Sequence, residues 1–371
     1  MRGVLGHATA GLTCVVLLAA CTVRPPAPPP ASCAHVQSNR QVRGQTLCED
    51  VWSCEVPPGD AHDRLGVRRL APCGNLIGPV VLFLPDRHMT SAIATTDARD
   101  DLRLYLAQAG MQTWSLDYRS HFLQALPGDR PTDPDAFTFE RYVRDVEWVL
   151  AFALGVTPQR IVVAGFGDGA TLAYALAARR PAEIAGVVAF DGVADGEPAG
   201  DGAAFVEGGV SPLDWAAWRR LLRTTRLGPR NPSPLAGWVT AGQALAGLLF
   251  EAPAYGGDGG LSAAKLGAAD PGVLADYLAT GDRWWPAGAA AGASEPRDAP
   301  LPVLAFAAGR RGPDWAARVR AAAEAFGGEA AETLELPGLG HLDVLLGTNA
   351  ARSVYEPSRR WIEGVVQTSR G

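Results

Sequence analysis

The apolar positions of this chain fall into short unbroken runs separated by longer periodic ones. Val80, Val81, Leu82, Phe83 and Leu84 are continuously apolar and rich in β-branched and aromatic side chains, the pattern of a strand buried on both faces. Residues 111–116, 161–164, 187–190, 303–307 and 333–336 repeat that signal. Between them, helices are predicted over 96–109, 139–154, 171–178, 314–325 and 354–365, with the spacing clearest in Tyr142, Val146, Val149 and Ala153. Alternation of this kind predicts an α/β fold with parallel βαβ units in a doubly wound, mostly parallel sheet. Upstream, 49–56 and 65–70 flank the turn cluster Pro57, Pro58, Gly59 and Asp60, which predicts an antiparallel entry hairpin.

Between about 195 and 300 the alternation stops. Ala, Gly, Pro and Trp dominate there, with helical stretches over 213–222, 236–250 and 273–278. The segment reads as a helical cap inserted into the core, and such an insertion after a strand's C-terminal end belongs at the ligand-binding rim of an open α/β sheet. Its Trp215, Trp218, Trp238, Trp284 and Trp285 either pack the cap's own core or line an apolar pocket.

Composition adds limits. A chain of 371 residues, 47% hydrophobic and 19% charged, is long enough for one large core. Its 43 glycines and 29 prolines follow no fixed period, which excludes collagen-like and solenoid repeats. A net charge of -6 without a run of Lys and Arg argues against nucleic acid as a partner.

The N-terminus carries a targeting signal. Arg2, an apolar stretch over 11–20 and small residues before Cys21 have the form of an export signal, and the stretch is shorter than the roughly 20 residues of a spanning helix. Leu18, Ala19, Ala20 and Cys21 resemble the lipobox of bacterial lipoproteins. That resemblance implies removal of residues 1–20, a lipid on Cys21, membrane attachment through it and a place in the bacterial cell envelope. Thr22 next to the cysteine is similar to lipoproteins sorted to an outer membrane. Residues 21–32, with Pro25, Pro26, Pro28, Pro29 and Pro30, form an extended tether.

With Cys14 in the signal and Cys21 lipidated, Cys33, Cys48, Cys54 and Cys73 remain. An even number in an oxidising envelope predicts two disulfides, with three pairings open. No metal site is expected, since no CxxC pair or paired histidine accompanies them. The expected organisation is then signal 1–20, tether 21–32, cysteine-bearing extension and entry hairpin 33–79, core 80–194, cap 195–300 and core 301–371.

The chemistry centres on Ile161 to Ala170, where a buried strand runs into Gly165, Phe166, Gly167, Asp168 and Gly169 and then a small-residue helix. A dinucleotide fingerprint would follow the first strand, which this does not. The stretch resembles the nucleophile elbow of α/β hydrolases, G-x-S-x-G, with Gly167 in the serine's place. Gly340, His341, Leu342 and Asp343 are similar to the GHLD segment of the acid-lipase-like branch, as are Leu116 to Arg119 and Asp282 to Pro286.

The resemblance implies an α/β-hydrolase fold with a helical cap. It gives His341 the role of general base, Asp314 that of the acid orienting it, and the region of Asp86, Arg87 and Asp168 that of the oxyanion hole. Asp314 also reads as a helix N-cap. Asp168 lies one residue past the apex, which disfavours it as a nucleophile. Pro85 and Asp86 replace the family's His-Gly pair, a second departure beside Gly167.

The leading expectation is a degenerate esterase or lipase acting as an envelope binding protein, without cofactor, for an apolar or acyl ligand under the cap or for a partner. The alternatives are a general-base enzyme using His341 with Asp314 or Asp168, an esterase drawing a serine from Ser91 or Ser115, and a cap that serves as a docking surface over a filled crevice.

Overall fold

The computed structural model describes residues 33–368 apart from 43, 58–62, 75–77, 124–136, 158, 197–204, 210–212, 252–267, 291–294 and 296–299. The export signal, Cys21 and the tether lie outside the described residues.

The chain begins with β1 (Cys33–Val42), β2 (Gln45–Glu55), β3 (Arg64–Pro72) and β4 (Val80–Leu84). It continues through α1 (Leu102–Gln108), β5 (Gln112–Asp117), α2 (Phe139–Val156), β6 (Ile161–Phe166), α3 (Asp168–Arg179) and β7 (Ile184–Phe190). The cap holds β8 (Phe205–Glu207), α4 (Trp215–Leu227), α5 (Ala241–Glu251), α6 (Pro271–Ala279), β9 (Trp284–Pro286) and α7 (Ala287–Ala290). The core resumes with β10 (Val303–Ala308), α8 (Pro313–Gly327), β11 (Ala331–Leu336), α9 (Asp343–Leu346) and α10 (Glu356–Thr368).

Among the described residues, nine strands form one sheet in the order β1-β2-β3-β5-β4-β6-β7-β10-β11. The first three strands meander antiparallel into β5, and from β5 to β11 the pairing is parallel. Every residue of β4, β6, β7 and β10 is buried, as continuous apolar runs between two helical layers require. Side chains alternate between those layers along β6. Ile161 and Val163 face a core built with α2, α3 and α8, while Val162, Ala164 and Phe166 face one built with α1, α10 and the cap helices. The chain moves from β4 outward to β5 and then returns to the other side of β4 for β6. That reversal opens a crevice at the C-terminal ends of β4 and β6, where ligands sit in open α/β sheets.

Several elements differ from expectation: the short β8, β9, α7 and α9 were not predicted, and α5 starts at Ala241 rather than 236. The edge strand β1 was absent from the sequence reading, because most of its side chains are polar and exposed and show no alternation. Helix α1 starts at Leu102 rather than 96, where Asp101 accepts hydrogen bonds from the N–H groups of Arg103 and Leu104 and caps it. Disulfides join Cys33 to Cys54 and Cys48 to Cys73, fastening β1 to β2 and β2 to the end of β3.

The cap tryptophans pack rather than line a pocket. Trp218 and Trp285 are fully buried, and Trp285 meets the rings of Tyr118 and Tyr142 edge-on at 5.4 Å. The sheet, both disulfides and the buried clusters all lie within 33–368, so a chain beginning at Cys33 carries every described contact of the fold. Among the described residues no helix is long and apolar enough to cross a membrane.

Candidate functional site

Strand β6 ends in a sharp turn at Gly167, with φ 53° and ψ -117°, and α3 begins at the next residue. Glycine takes that conformation without a Cβ penalty. Its neighbours are glycines for a different reason: a Cβ on Gly165 would strike the backbone of Gly169 and Ala170, and one on Gly169 the carbonyls of Leu84 and Pro85. The turn therefore packs directly on the end of β4.

The residue after Pro85 fills the space above this turn. A Cβ on Gly167 would fall inside the Asp86 carboxylate. The Asp168 N–H, the first of α3, donates to Asp86 Oδ1 at 2.8 Å, and His341 Nε2 lies 3.0 Å from Asp86 Oδ2. Backbone N–H groups at 86 or 87 were expected to serve an oxyanion. The structure brings in the Asp86 side chain instead, an anion already seated on the elbow N–H. Arg87 donates to Asp168 Oδ1 at 2.7 Å, both side chains buried. Asp168 is thereby drawn to Arg87, and His341's hydrogen bonds go to Asp86 and Asp191.

The acid paired with His341 also departs from expectation. Asp314 is exposed in the first turn of α8, and the carboxylate on His341 Nδ1 belongs to Asp191, at 2.6 Å. Asp191 directly follows β7, is wholly buried, and adopts φ 47°, a conformation rare for a non-glycine side chain. Three donors hold it there besides the histidine: the Ala308 N–H at 2.8 Å, the Trp315 indole N–H at 2.7 Å and Arg311 at 3.4 Å. The correction has a simple geometric cause. Strands β7 and β10 are neighbours, with Phe190 beside Phe306, so an acid following either strand ends near the same histidine. An aspartate ending a fully buried strand, Asp191-Gly192, was the available signal.

His341 stacks on Phe166 with ring centres 4.4 Å apart and is buried between two carboxylates. Burial alone would push its pKa down, but the hydrogen bonds and charges of Asp191 and Asp86 outweigh this and raise it. Burial pushes Asp86 up, yet His341, Arg87 and the Asp168 N–H hold it below the ordinary carboxylate value. Asp191 likewise falls to about 2, burial being overcome by Arg311 and His341. Each ring nitrogen thus faces a carboxylate, an arrangement that favours the doubly protonated ring.

Neither candidate serine reaches this histidine. Ser91 donates to Asp117 through its hydroxyl at 2.9 Å, and Ser115 lies buried within β5. The cleft bounded by Asp86, Gly167, Asp191, Trp315 and His341 leaves about 10 Å³ for the centre of a water molecule, room for a single water. An apolar crevice between cap and core, bounded by Phe83, Met89, Tyr277, Leu346 and Tyr355, leaves about 30 Å³ on the same measure. The cap is fastened to the Asp86 loop at His88, whose carbonyl accepts the Asp282 N–H at 2.9 Å while its Nδ1 lies 3.0 Å from the Asp282 carbonyl.

Solved structures place this architecture. A lipase candidate from Sulfolobus solfataricus aligns with a TM-score of 0.62 at 18% identity, over 89% of this chain and 99% of its own. An alpha/beta hydrolase fold protein from Nakamurella multipartita aligns with a TM-score of 0.50 at 15% identity, over 86% and 99%. The chain has the α/β-hydrolase fold. No protein-family model matches the chain, and a search of curated proteins finds no match.

Proposed function

We propose that this chain is a lipid-anchored protein of the bacterial envelope, built on a hydrolase scaffold, that works by binding and does not hydrolyse esters. One observation carries the reading: the Asp86 carboxylate fills the side-chain space of position 167 and takes both the elbow N–H and His341 Nε2. An ester carbonyl needs that N–H for its developing oxyanion, and a carboxylate there opposes the charge. Proton abstraction needs a neutral imidazole with Nε2 open to substrate, whereas His341 Nε2 faces Asp86, and the two carboxylates raise its pKa and favour the protonated ring. Loss of a serine nucleophile alone costs on the order of a million-fold in turnover. The lipid anchor rests on the sequence around Cys21.

The test uses the chain beginning at Cys33 with p-nitrophenyl esters and a fluorophosphonate probe. No turnover above the His341→Ala background and no labelling are expected; turnover abolished by His341→Ala overturns the sealed-site reading. Palmitate incorporation into the full chain, lost in Cys21→Ser, tests the anchor, and equal incorporation in both chains removes it. The same contact favours one other reading. A carboxylate held by a histidine suits displacement at saturated carbon, its oxygen forming the C–O bond while the leaving group departs with the bonding pair. A mass adduct on Asp86 after exposure to an alkyl halide or epoxide would establish that chemistry in place of the first.

A further inference from the structure

From Trp215 to Phe250 the chain contains no acidic residue and five arginines, Arg219, Arg220, Arg223, Arg226 and Arg230, in a molecule whose net charge is -6. They make no run in the sequence, but helical spacing gathers them. Helix α4 buries Trp218, Leu221, Leu222 and Thr225 against the cap core, which turns the three-and-four-spaced arginines outward on the opposite face. All five are exposed.

The acids near this face engage only part of it. Arg226 pairs with Asp276 of α6 at 2.9 Å, and Arg219 donates to the Ala279 carbonyl. No carboxylate among the described residues pairs with Arg220, Arg223 or Arg230. Arg219 sits below the usual guanidinium range, partly through burial and partly because Arg223 and Arg226 repel its charge. Beside them stand two apolar side chains with no cover: Leu227 at the end of α4 and Val239 in the following loop, each 80% exposed. Arginines interleaved with protruding aliphatic groups fit a surface with phosphates above hydrocarbon.

We propose that this face of the cap docks on an anionic phospholipid surface, with the arginines on headgroup phosphates and Leu227 and Val239 entering the acyl boundary. A nucleic-acid duplex offers the phosphates but no apolar layer for the two aliphatic side chains. The net negative charge of the rest of the molecule is repelled by the same membrane, so attachment is oriented with the cap downward. This surface stands apart from the sealed site and does not depend on how that site is read.

The experiment is cosedimentation of the chain beginning at Cys33 with two kinds of vesicle, pure phosphatidylcholine and phosphatidylcholine containing about a third phosphatidylglycerol. Binding is expected to the mixed vesicles at low salt, with release at high salt, and not to the neutral ones. Arg220→Gln with Arg223→Gln should weaken it about thirty-fold, each cation near such a surface being worth about a factor of five. Leu227→Ser with Val239→Ser should weaken it while leaving the salt dependence in place. These positions are exposed, so melting curves should be unchanged; if one pair fails to fold, the other decides. Equal binding to neutral vesicles, full binding by the folded arginine pair, or preference for duplex DNA over anionic vesicles overturns the proposal.

Discussion

Gly167→Ser is the substitution that the elbow invites, and the structure argues that alone it yields nothing. Its Cβ would fall inside the Asp86 carboxylate, and overpacking of this kind costs about 1–3 kcal/mol. The left-handed backbone at φ 53° adds about 1 kcal/mol for a non-glycine residue. The single variant should therefore melt lower than wild type and remain inert. Pairing it with Asp86→Gly removes the obstruction, releases the Asp168 N–H for an oxyanion and takes away one of the two carboxylates that raise the His341 pKa, which favours the neutral base.

A working serine is worth about a million-fold, so recovery of even a hundredth of that effect leaves the double variant about ten-thousand-fold above the single one. The assay is p-nitrophenyl butyrate hydrolysis with fluorophosphonate labelling, beside the same double variant carrying His341→Ala. Comparable turnover by Gly167→Ser alone would show that Asp86 is no obstacle. A folded double variant that is neither labelled nor active would show that the scaffold around His341 has lost more than its nucleophile.

Three further outcomes follow from the same contacts. Asp191→Asn should cost about 3–5 kcal/mol, the penalty for breaking a buried charge pair, whereas Asp314→Asn should stay within about 0.5 kcal/mol; similar melting shifts for the two would contradict Asp191 as the partner of His341. The depressed Asp191, about 2 against 3.8 for the free group, contributes about 2 kcal/mol above its unfolded pKa that is lost as pH falls toward 2. His341, raised above 6.5, contributes fully below that value and loses its contribution as pH climbs through its folded pKa. Urea midpoints across pH should fall on both limbs, the acid limb shallower in Asp191→Asn, and an unchanged acid limb in that variant would be inconsistent with the assignment. Replacing Cys33 and Cys54 by alanine should cost about 3 kcal/mol and expose β1 to proteases first, since that strand has a neighbour on one side only; protease resistance equal to wild type would show that β1 is held by its ladder alone.

Much of this architecture was legible because its strands are buried on both sides. Val80 to Leu84 and Ile161 to Ala164 leave no polar position for a helix face or a half-exposed strand to use, so their type follows from composition alone. The polar edge strand β1 has no such constraint, and what holds it, the Cys33–Cys54 bond and pairing with β2, is a long-range contact. The site divides the same way. Gly165, Gly169 and His341 could be read because turn chemistry and order along the chain identify them. Asp191 could not be separated from Asp314, since either order of elements satisfies the chain and only the adjacency of β7 and β10 chooses.

Asp86 marks the limit most clearly, and it changes what the histidine means. In sequence, Gly167 and Asp86 read as two departures from the pattern that the chain resembles, at one centre. In the fold the two positions meet: the Asp86 carboxylate, from the loop after β4, occupies the space that a side chain at 167 would need and faces His341 Nε2. Without that carboxylate a buried ring nitrogen of His341 would lose its hydrogen-bond partner, at about 1–3 kcal/mol. Stability alone thus gives reason to retain His341 and Asp191 once Asp86 is in place. A histidine after the last strand, hydrogen-bonded to an acid, therefore has a structural reason to stand there, and evidence for or against catalysis has to come from what faces its Nε2.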